Sequence, residues 1–542
     1  MGRLHDVPRH GERDVAPSGS KTTAWEQRRD YGDLGSPQPC ESKMTGKGAN
    51  NLERVGNPGL VGGGPVHSRG KGGAMPAEPA RALEGIGDGT QSERETASGH
   101  RNGEWLITKL ELIARRARQE PRSRFTSLAH LLDEGFLAQS YRELKKNKAP
   151  GVDGVSVEEY GKDLDGNLKR LVARMKAKKY WPQPVRRTYI PKGDGQLRPL
   201  GIPAVEDKVV QMGMARILQA VFEGDFLEAS YGYRPKRGCH EALKSLDRAI
   251  MANPVSFVVE VDIKGFFNHV DHKWLMECLR QRISDPSLLS LVWRNLKAGV
   301  LDEGKFKESE EGTPQGGVIS PILSNIYLHY VLDLWFEKKL SKELRGHAEL
   351  IRYCDDFIVC AQYRSDADRV LAEIKARLAK FGLEVSPEKT RIIEFGRFAK
   401  LNAEKRGGKP DTFDFLGFMH FCGTTLKGRF RVGRKTSGKR FRAKLKAMNT
   451  WLKAVRNAEP LPEWWRTFRA KLEEHCRYYG VSGNSRSISS YFHWAIRMVY
   501  KWINRRSQKR SYTWAEFVQY LERHPLPKVR IVHHLYAASA AS

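Results

Sequence analysis

The segment VSFVVEVDI, residues 255–263, does most to constrain the fold. Phe257, Val259, Val261 and Ile263 fall on one face of an extended strand, and Val258, Glu260 and Asp262 on the other. Such a strand needs a sheet, and it carries Asp262 to its end on the side away from the main core. Far downstream, ELIRYCDDFIVCAQ reads as two short β runs around Asp355 and Asp356. Asp is poor in strands and good in turns, so a tight hairpin is expected there. Crowding three carboxylates costs free energy unless cations neutralise them.

The remaining pattern is mostly helical. WLITKLELIARRARQE and FLAQSYRELKKNK read as amphipathic helices, followed by a turn-rich APGVDGVS loop. SVEEYGKDLDGNLKRLVARMKAKKY is helical again, and TYIPKGDGQLRPLGIP reads as two short strands around a turn at Gly195. AVEDKVVQMGMARILQAVFEGDF returns to helix, and DRVLAEIKARLAKFG is a helix ended by Gly382. Residues 1–100 are rich in Gly, Pro, Ser and charge without apolar periodicity, so disorder is expected, with translation starting further in, at Met44 or Met75, as one hypothesis.

Charge narrows the partners. The chain has 93 Lys+Arg against 63 Asp+Glu, a formal net charge of +30. A chain this basic meets a polyanion: nucleic acid first, an anionic membrane surface second. No run of about 18 apolar residues exists to span a membrane, and no apolar signal segment opens the chain. The seven Cys are scattered without a CxxC pair, which argues against a zinc ribbon or a disulfide framework and suits a reducing cytoplasm. From Arg429 to Arg530 the chain carries 25 Lys+Arg against 6 Asp+Glu. There Phe441, Leu445, Met448, Leu452 and Val455 form one helical stripe, and Ile488, Phe492, Ala495 and Val499 a second. Trp464, Trp465, Tyr478, Tyr479, Tyr491, Trp494 and Trp502 are interleaved with the charge; most are expected in the core of a helical bundle.

Hard oxygen ligands such as Asp262, Asp355 and Asp356 suit Mg²⁺, which takes the rest of its shell from water and substrate phosphates. Two such ions about 4 Å apart activate an attacking 3′-hydroxyl and stabilise a leaving pyrophosphate, the chemistry of nucleotide polymerisation. The neighbouring motifs make this reading specific. YCDD at Tyr353–Asp356 resembles the YxDD box of reverse transcriptases, and VDIKGFFNHV at Val261–Val270 their first catalytic-Asp motif. GTPQGGVISPILSNIYLH at Gly312–His329 is similar to the PQGxxxSPxLxN motif. PKGDGQLRPLGIP at Pro191–Pro203 and YGYRPKRGCHEAL at Tyr231–Leu243 resemble fingers blocks of group II intron enzymes, and FDFLGF at Phe413–Phe418 the block closing the palm. The ending IVHHLY resembles that family's maturase region; His533 and His534 there suggest no metal site and read as structural or RNA-facing.

The resemblance implies an α+β right-hand polymerase: a disordered extension over 1–100, N-terminal helices and fingers over 101–250, a palm with an antiparallel sheet and helices on one face over 251–425, and a basic thumb and maturase region over 426–542. It implies catalytic Asp262, Asp355 and Asp356, holding two Mg²⁺ (or Mn²⁺ in their place) together with the Ile263 carbonyl. Lys192, Arg198, Phe267 and Gln315 would meet the nucleotide, with Gly316 and Gly317 allowing close backbone approach. Arg440, Arg442, Lys444, Lys446, Arg505 and Arg506 would meet RNA. Implied partners are group II intron RNA, a DNA target or primer and deoxynucleoside triphosphates, with no membrane; a homodimer and a nucleoid-associated bacterial cytoplasm are also expected. The implied work is copying intron RNA into DNA for retrohoming and assisting splicing. The chain stops soon after IVHHLY, so no HNH endonuclease activity is expected. Alternatives are a maturase with a vestigial polymerase, or a reverse transcriptase of a retron, a diversity-generating element or a phage-defence system.

Overall fold

The computed structural model describes residues 109–191, 197–313 and 316–536. The expected disorder over 1–100 lies outside them, as do Lys192 and Gln315. The fold is mixed α/β. Its strands are β1 (Val185–Pro191), β2 (Leu197–Ile202), β3 (Phe257–Asp262), β4 (Val300–Asp302), β5 (Lys305–Lys307), β6 (Ala348–Tyr353), β7 (Asp356–Ala361), β8 (Arg391–Glu394), β9 (Phe413–Phe415), β10 (Phe418–Thr424) and β11 (Phe430–Thr436). They form three sheets, ordered β2-β1-β4-β5, β6-β7-β3-β8 and β11-β10-β9.

The central sheet, β6-β7-β3-β8, is antiparallel throughout. Both of its faces are covered at the end remote from Asp262, where Val258 and Val259 are each fully buried. One face carries Val258, Ile351, Ile358 and Cys360 into a core shared with Leu243, Leu246 and Ile250 of the helix Cys239–Ala252 and with the C-terminal bundle. The opposite face carries Arg352, whose guanidinium reaches Asp333 beneath the sheet. Helices therefore pack on two faces rather than the expected one. The alternation in VSFVVEVDI gives the orientation correctly, but Val258 supplies apolar contact where a solvated face was expected. Asp262 stands at the open end of that same face.

The stretch SVEEYGKDLDGNLKRLVARMKAKKY is helical as expected, as two helices, Val157–Gly161 and Leu164–Lys176. The Asp163 side chain accepts from the Gly166 N–H and starts the second, since a capping carboxylate competes with helix continuation. The second C-terminal stripe is buried as expected, and the first is buried from Met448 on, with Phe441 and Leu445 partly buried. Met448, Leu452 and Val455 line the helix Gly438–Ala458, and Ile488, Phe492, Ala495 and Val499 the helix Ser485–Ile503. Trp464, Trp465, Tyr479, Tyr491 and Trp502 fill the bundle core, whereas Trp494 stays half exposed.

Two long-range ties join the C-terminal region to the helix Cys239–Ala252. Arg434 of β11, fully buried, donates to Asp247 at 2.8 Å. The IVHHLY tail runs beside Val481, with the Val532 N–H on the Gly480 carbonyl at 2.7 Å and Leu535 buried. His533 stacks on His240 at 3.5 Å between ring centroids and bonds the Arg477 carbonyl. It is thus a structural contact between tail and helix. Among the described residues no helix is long and apolar enough to cross a membrane.

Candidate active site

The register of the central sheet builds the site. β3 pairs with β7 so that Asp262 lies opposite Asp356, and β6 pairs with β7 so that Tyr353 lies opposite Asp356. Cys354 and Asp355 are therefore the two turn residues, and Asp356 opens the following strand. The sequence had centred the turn one residue later. Directly opposed strand residues hold their Cβ atoms about 5 Å apart, so Asp262 and Asp356 are neighbours and Asp355 adjoins them. Cys354 adopts φ +58°, a left-handed conformation that costs a non-glycine residue free energy.

The crowding is visible electrostatically. Asp356 keeps an open face to solvent, yet its carboxyl is hemmed in by protein. That burial, with the charges of Asp355 and Asp262 added, pushes it up to about 7. Lys389 and Arg440 pull it back only in part. Burial likewise raises the Asp355 carboxyl, with Asp262 adding to the effect and Arg198 and Arg352 opposing it. Lys389 Nζ bonds Asp262 Oδ2 at 2.9 Å. The Asp262 N–H faces Thr390 Oγ1 at 3.4 Å, and the Asp262 carbonyl accepts from Ser386 at 2.8 Å.

Sequence reasoning missed Lys389 and Thr390. They sit in a PEKT stretch with no periodicity, which the β3–β8 pairing and the Ser386 bond to the Asp262 carbonyl bring beside Asp262. Tyr233 was missed too; burial, then Cys354 and Asp355, push its phenol up.

Around the carboxylates the expected residues are distributed as follows. Ile263 follows Asp262 directly and bridges to Val385. Phe266 is buried against Tyr327, while the half-buried Phe267 meets Phe266 edge-on in the short turn Phe266–Asn268. β3 has ended by then, so strand alternation does not govern this pair. Arg198 is exposed on β2, opposite Ile190, and within electrostatic reach of Asp355. Gly316, at φ +114°, would place a Cβ 2.8 Å from the Gly201 carbonyl. Its close approach is thus to the chain's own β2, and it ties the motif-bearing loop to the β1–β2 hairpin. Arg440, Arg442, Lys444, Lys446 and Arg505 are exposed, and Arg506 is partly so. Arg440 reaches the carboxylates electrostatically.

The donor set fits a hard divalent cation. It is all oxygen and over-supplied with negative charge, and a lysine ammonium already leans on one member. Among the described residues no group of three or more Asp, Glu, His or Cys side chains is placed to hold a metal ion by itself. An ion that keeps waters and takes substrate oxygens needs no such group.

An acid at the end of one strand faces an acidic hairpin with a left-handed turn residue, and a donor set of this kind suits hard divalent ions. Residues 190–420 match the family of reverse transcriptases (RNA-dependent DNA polymerases). Protein YkfC of Escherichia coli K12 is 33% identical over 342 residues, which cover 59% of this chain and 89% of that protein. The group II intron-encoded protein LtrA of Lactococcus lactis is 36% identical over 231 residues, covering 42% of this chain and 38% of LtrA. A 91 kDa protein in the cob intron of Schizosaccharomyces pombe is 28% identical over 411 residues, covering 65% of this chain and 48% of that protein. The chain belongs to the group II intron reverse transcriptase/maturase family. It spans most of YkfC but less than half of these two intron-encoded relatives.

Proposed function

We propose that this chain copies RNA into DNA at the Asp262–Asp355–Asp356 cluster, and that it binds the group II intron RNA that encodes it. The register that sets Asp262 against Asp356 supports this reading above all. Asp262, Asp355, Asp356 and the Ile263 carbonyl would hold two Mg²⁺ ions, which would activate the primer 3′-hydroxyl and neutralise the departing pyrophosphate. Arg198 and Lys192 would grip the triphosphate, since cations there offset charge growing on the leaving group. Lys389 would orient Asp262 through their direct contact. The Phe267 ring would lie under the sugar and exclude a 2′-hydroxyl by shape. Gln315 would contact the nucleotide or the template–primer end.

In this reading residues 101–250 are fingers, 251–425 palm and 426–542 thumb and maturase region. The exposed Arg440, Arg442, Lys444, Lys446, Arg505 and Arg506 would track phosphates, and Trp494 would offer a ring for base stacking. Binding energy directed at the native intron fold stabilises it by mass action and so assists splicing. DNA synthesis on the spliced-out RNA then serves retrohoming. Primer extension on an RNA template with Mg²⁺ tests the reading. Wild-type protein lengthens the primer and Asp355→Ala does not, while Asp355→Ala retains splicing support. Failure of folded, RNA-loaded wild-type protein to extend any primer would overturn it.

A further inference from the structure

A buried ion pair lies under the acidic hairpin. Arg352 and Asp333 are both fully buried. Arg352 is the penultimate residue of β6, and its side chain points to the face opposite Asp356. Every donor of its guanidinium has a partner. Nε reaches Asp333 Oδ1 at 2.7 Å, and Nη2 reaches Asp333 Oδ2 at 2.5 Å and Ser230 Oγ at 2.8 Å. Nη1 reaches Asn325 Oδ1 at 3.2 Å and the Cys354 carbonyl at 3.0 Å. A guanidinium has five N–H groups, so the set is complete.

The last contact matters most. Cys354 is the first turn residue and carries the left-handed φ of +58°. Two-residue hairpins that need positive φ at this place usually take glycine. Here a side chain is present and the strain has to be held from outside. Asn325 carries the clamp onward, because its Nδ2 donates to the Gly232 carbonyl at 2.7 Å. Gly232 in turn packs where any Cβ would sit 2.3 Å from Cys354 Sγ. Asp333 ends a π-helical stretch, His329–Asp333, a rare local winding that recurs at functional sites.

We infer that Arg352 is a positioning residue, which grips the Cys354 carbonyl and thereby locks the strained turn that presents Asp355 and Asp356 at the site. Asp333 holds Arg352 in register, Asn325 ties the same guanidinium to the segment Gly312–His329, and Ser230 ties it to the chain just before Tyr231. This rests on the polymerase reading above and extends it to the residue that sets the geometry of the carboxylates.

The test uses the full chain and two variants. Arg352→Lys keeps the charge but loses the fork. The double variant Arg352→Met/Asp333→Leu replaces a buried ion pair by apolar side chains, an exchange proteins often tolerate. Both are assayed by primer extension, with kcat, nucleotide KM and a melting curve for each. In whichever variant folds, kcat falls roughly 100-fold, the cost of misplacing a catalytic group by about an ångström. Nucleotide KM stays near wild type. Adding Cys354→Gly to Arg352→Lys recovers most of kcat, because glycine takes positive φ without steric cost. A folded variant with near-wild-type kcat overturns the inference. So does a parallel loss of kcat and KM that Cys354→Gly leaves unchanged, or collapse of both variants, which would make the pair a fold element only. Wild-type protein inactive in the same assay would instead refute the polymerase reading.

Discussion

Asp207 offers a test of the energetics that hold the β1–β2 hairpin. It is the third residue of the helix Val205–Phe222 and only 2% exposed. Tyr180 Oη donates to its Oδ1 at 2.7 Å and the Gln183 N–H to its Oδ2 at 2.9 Å, just before β1 begins. Those bonds and the helix N-terminus favour the carboxylate. Burial outweighs them and pushes the carboxyl up to about 7. A raised acid keeps its proton in the folded chain while the unfolded chain has lost it above its ordinary value of 3.8. Stability therefore falls as pH rises from about 4 to about 7, by about 1.4 kcal/mol per unit. Asp207→Asn removes this slope. Its carbonyl can accept from Gln183 and its amide can donate to the Tyr180 oxygen, so the contacts survive. Urea unfolding at pH 5 and pH 8 should show the variant gaining roughly 3 kcal/mol on wild type between the two. A difference that is the same at both pH values, or that shrinks as pH rises, would refute the reasoning.

Other outcomes follow from the same geometry. Gly232→Ala should push the Cys354 turn and lower primer extension by more than about tenfold while the melting curve stays cooperative. Phe267→Ala should raise ribonucleotide incorporation relative to deoxynucleotide incorporation; unchanged discrimination would remove the ring from the sugar site. Replacing Arg442 and Lys446 with Ala should reduce the slope of log affinity for RNA against log salt by about 2, if each meets one phosphate. An unchanged slope would place RNA on another face.

Much of this architecture is legible in the chain. The period-two run before Asp262 announces a strand, and the two stripes after Arg440 announce helices, because each rests on local spacing. The pairing of Asp262 with Asp356 was legible only through the ordered motifs, since strand register is a tertiary property. The Cys354–Asp355 turn was misplaced by one residue because propensity favours the acidic pair in the turn, whereas the β6–β7 register puts Asp356 in the ladder. Lys389 and Arg352 were invisible for a plainer reason. A lysine in an aperiodic PEKT stretch and an arginine inside an apolar run carry no spacing signal. Their importance comes from what the fold sets beside them. The buried second face of the central sheet was missed because Val258 alternates with Glu260 and Asp262, and two acids made the whole face look solvated.

The claim on which everything turns is that Asp262, Asp355 and Asp356 form one divalent-ion site. Mn²⁺ binding, followed by electron paramagnetic resonance with template–primer and a deoxynucleoside triphosphate bound, reads this without requiring turnover. Each of Asp262→Ala, Asp355→Ala and Asp356→Ala should weaken the same tightly held ions, and pairs of substitutions should cost less than the sum of the single ones. Wild-type ion binding that survives Asp262→Ala intact would contradict the account, since it would separate β3 from the hairpin that it faces.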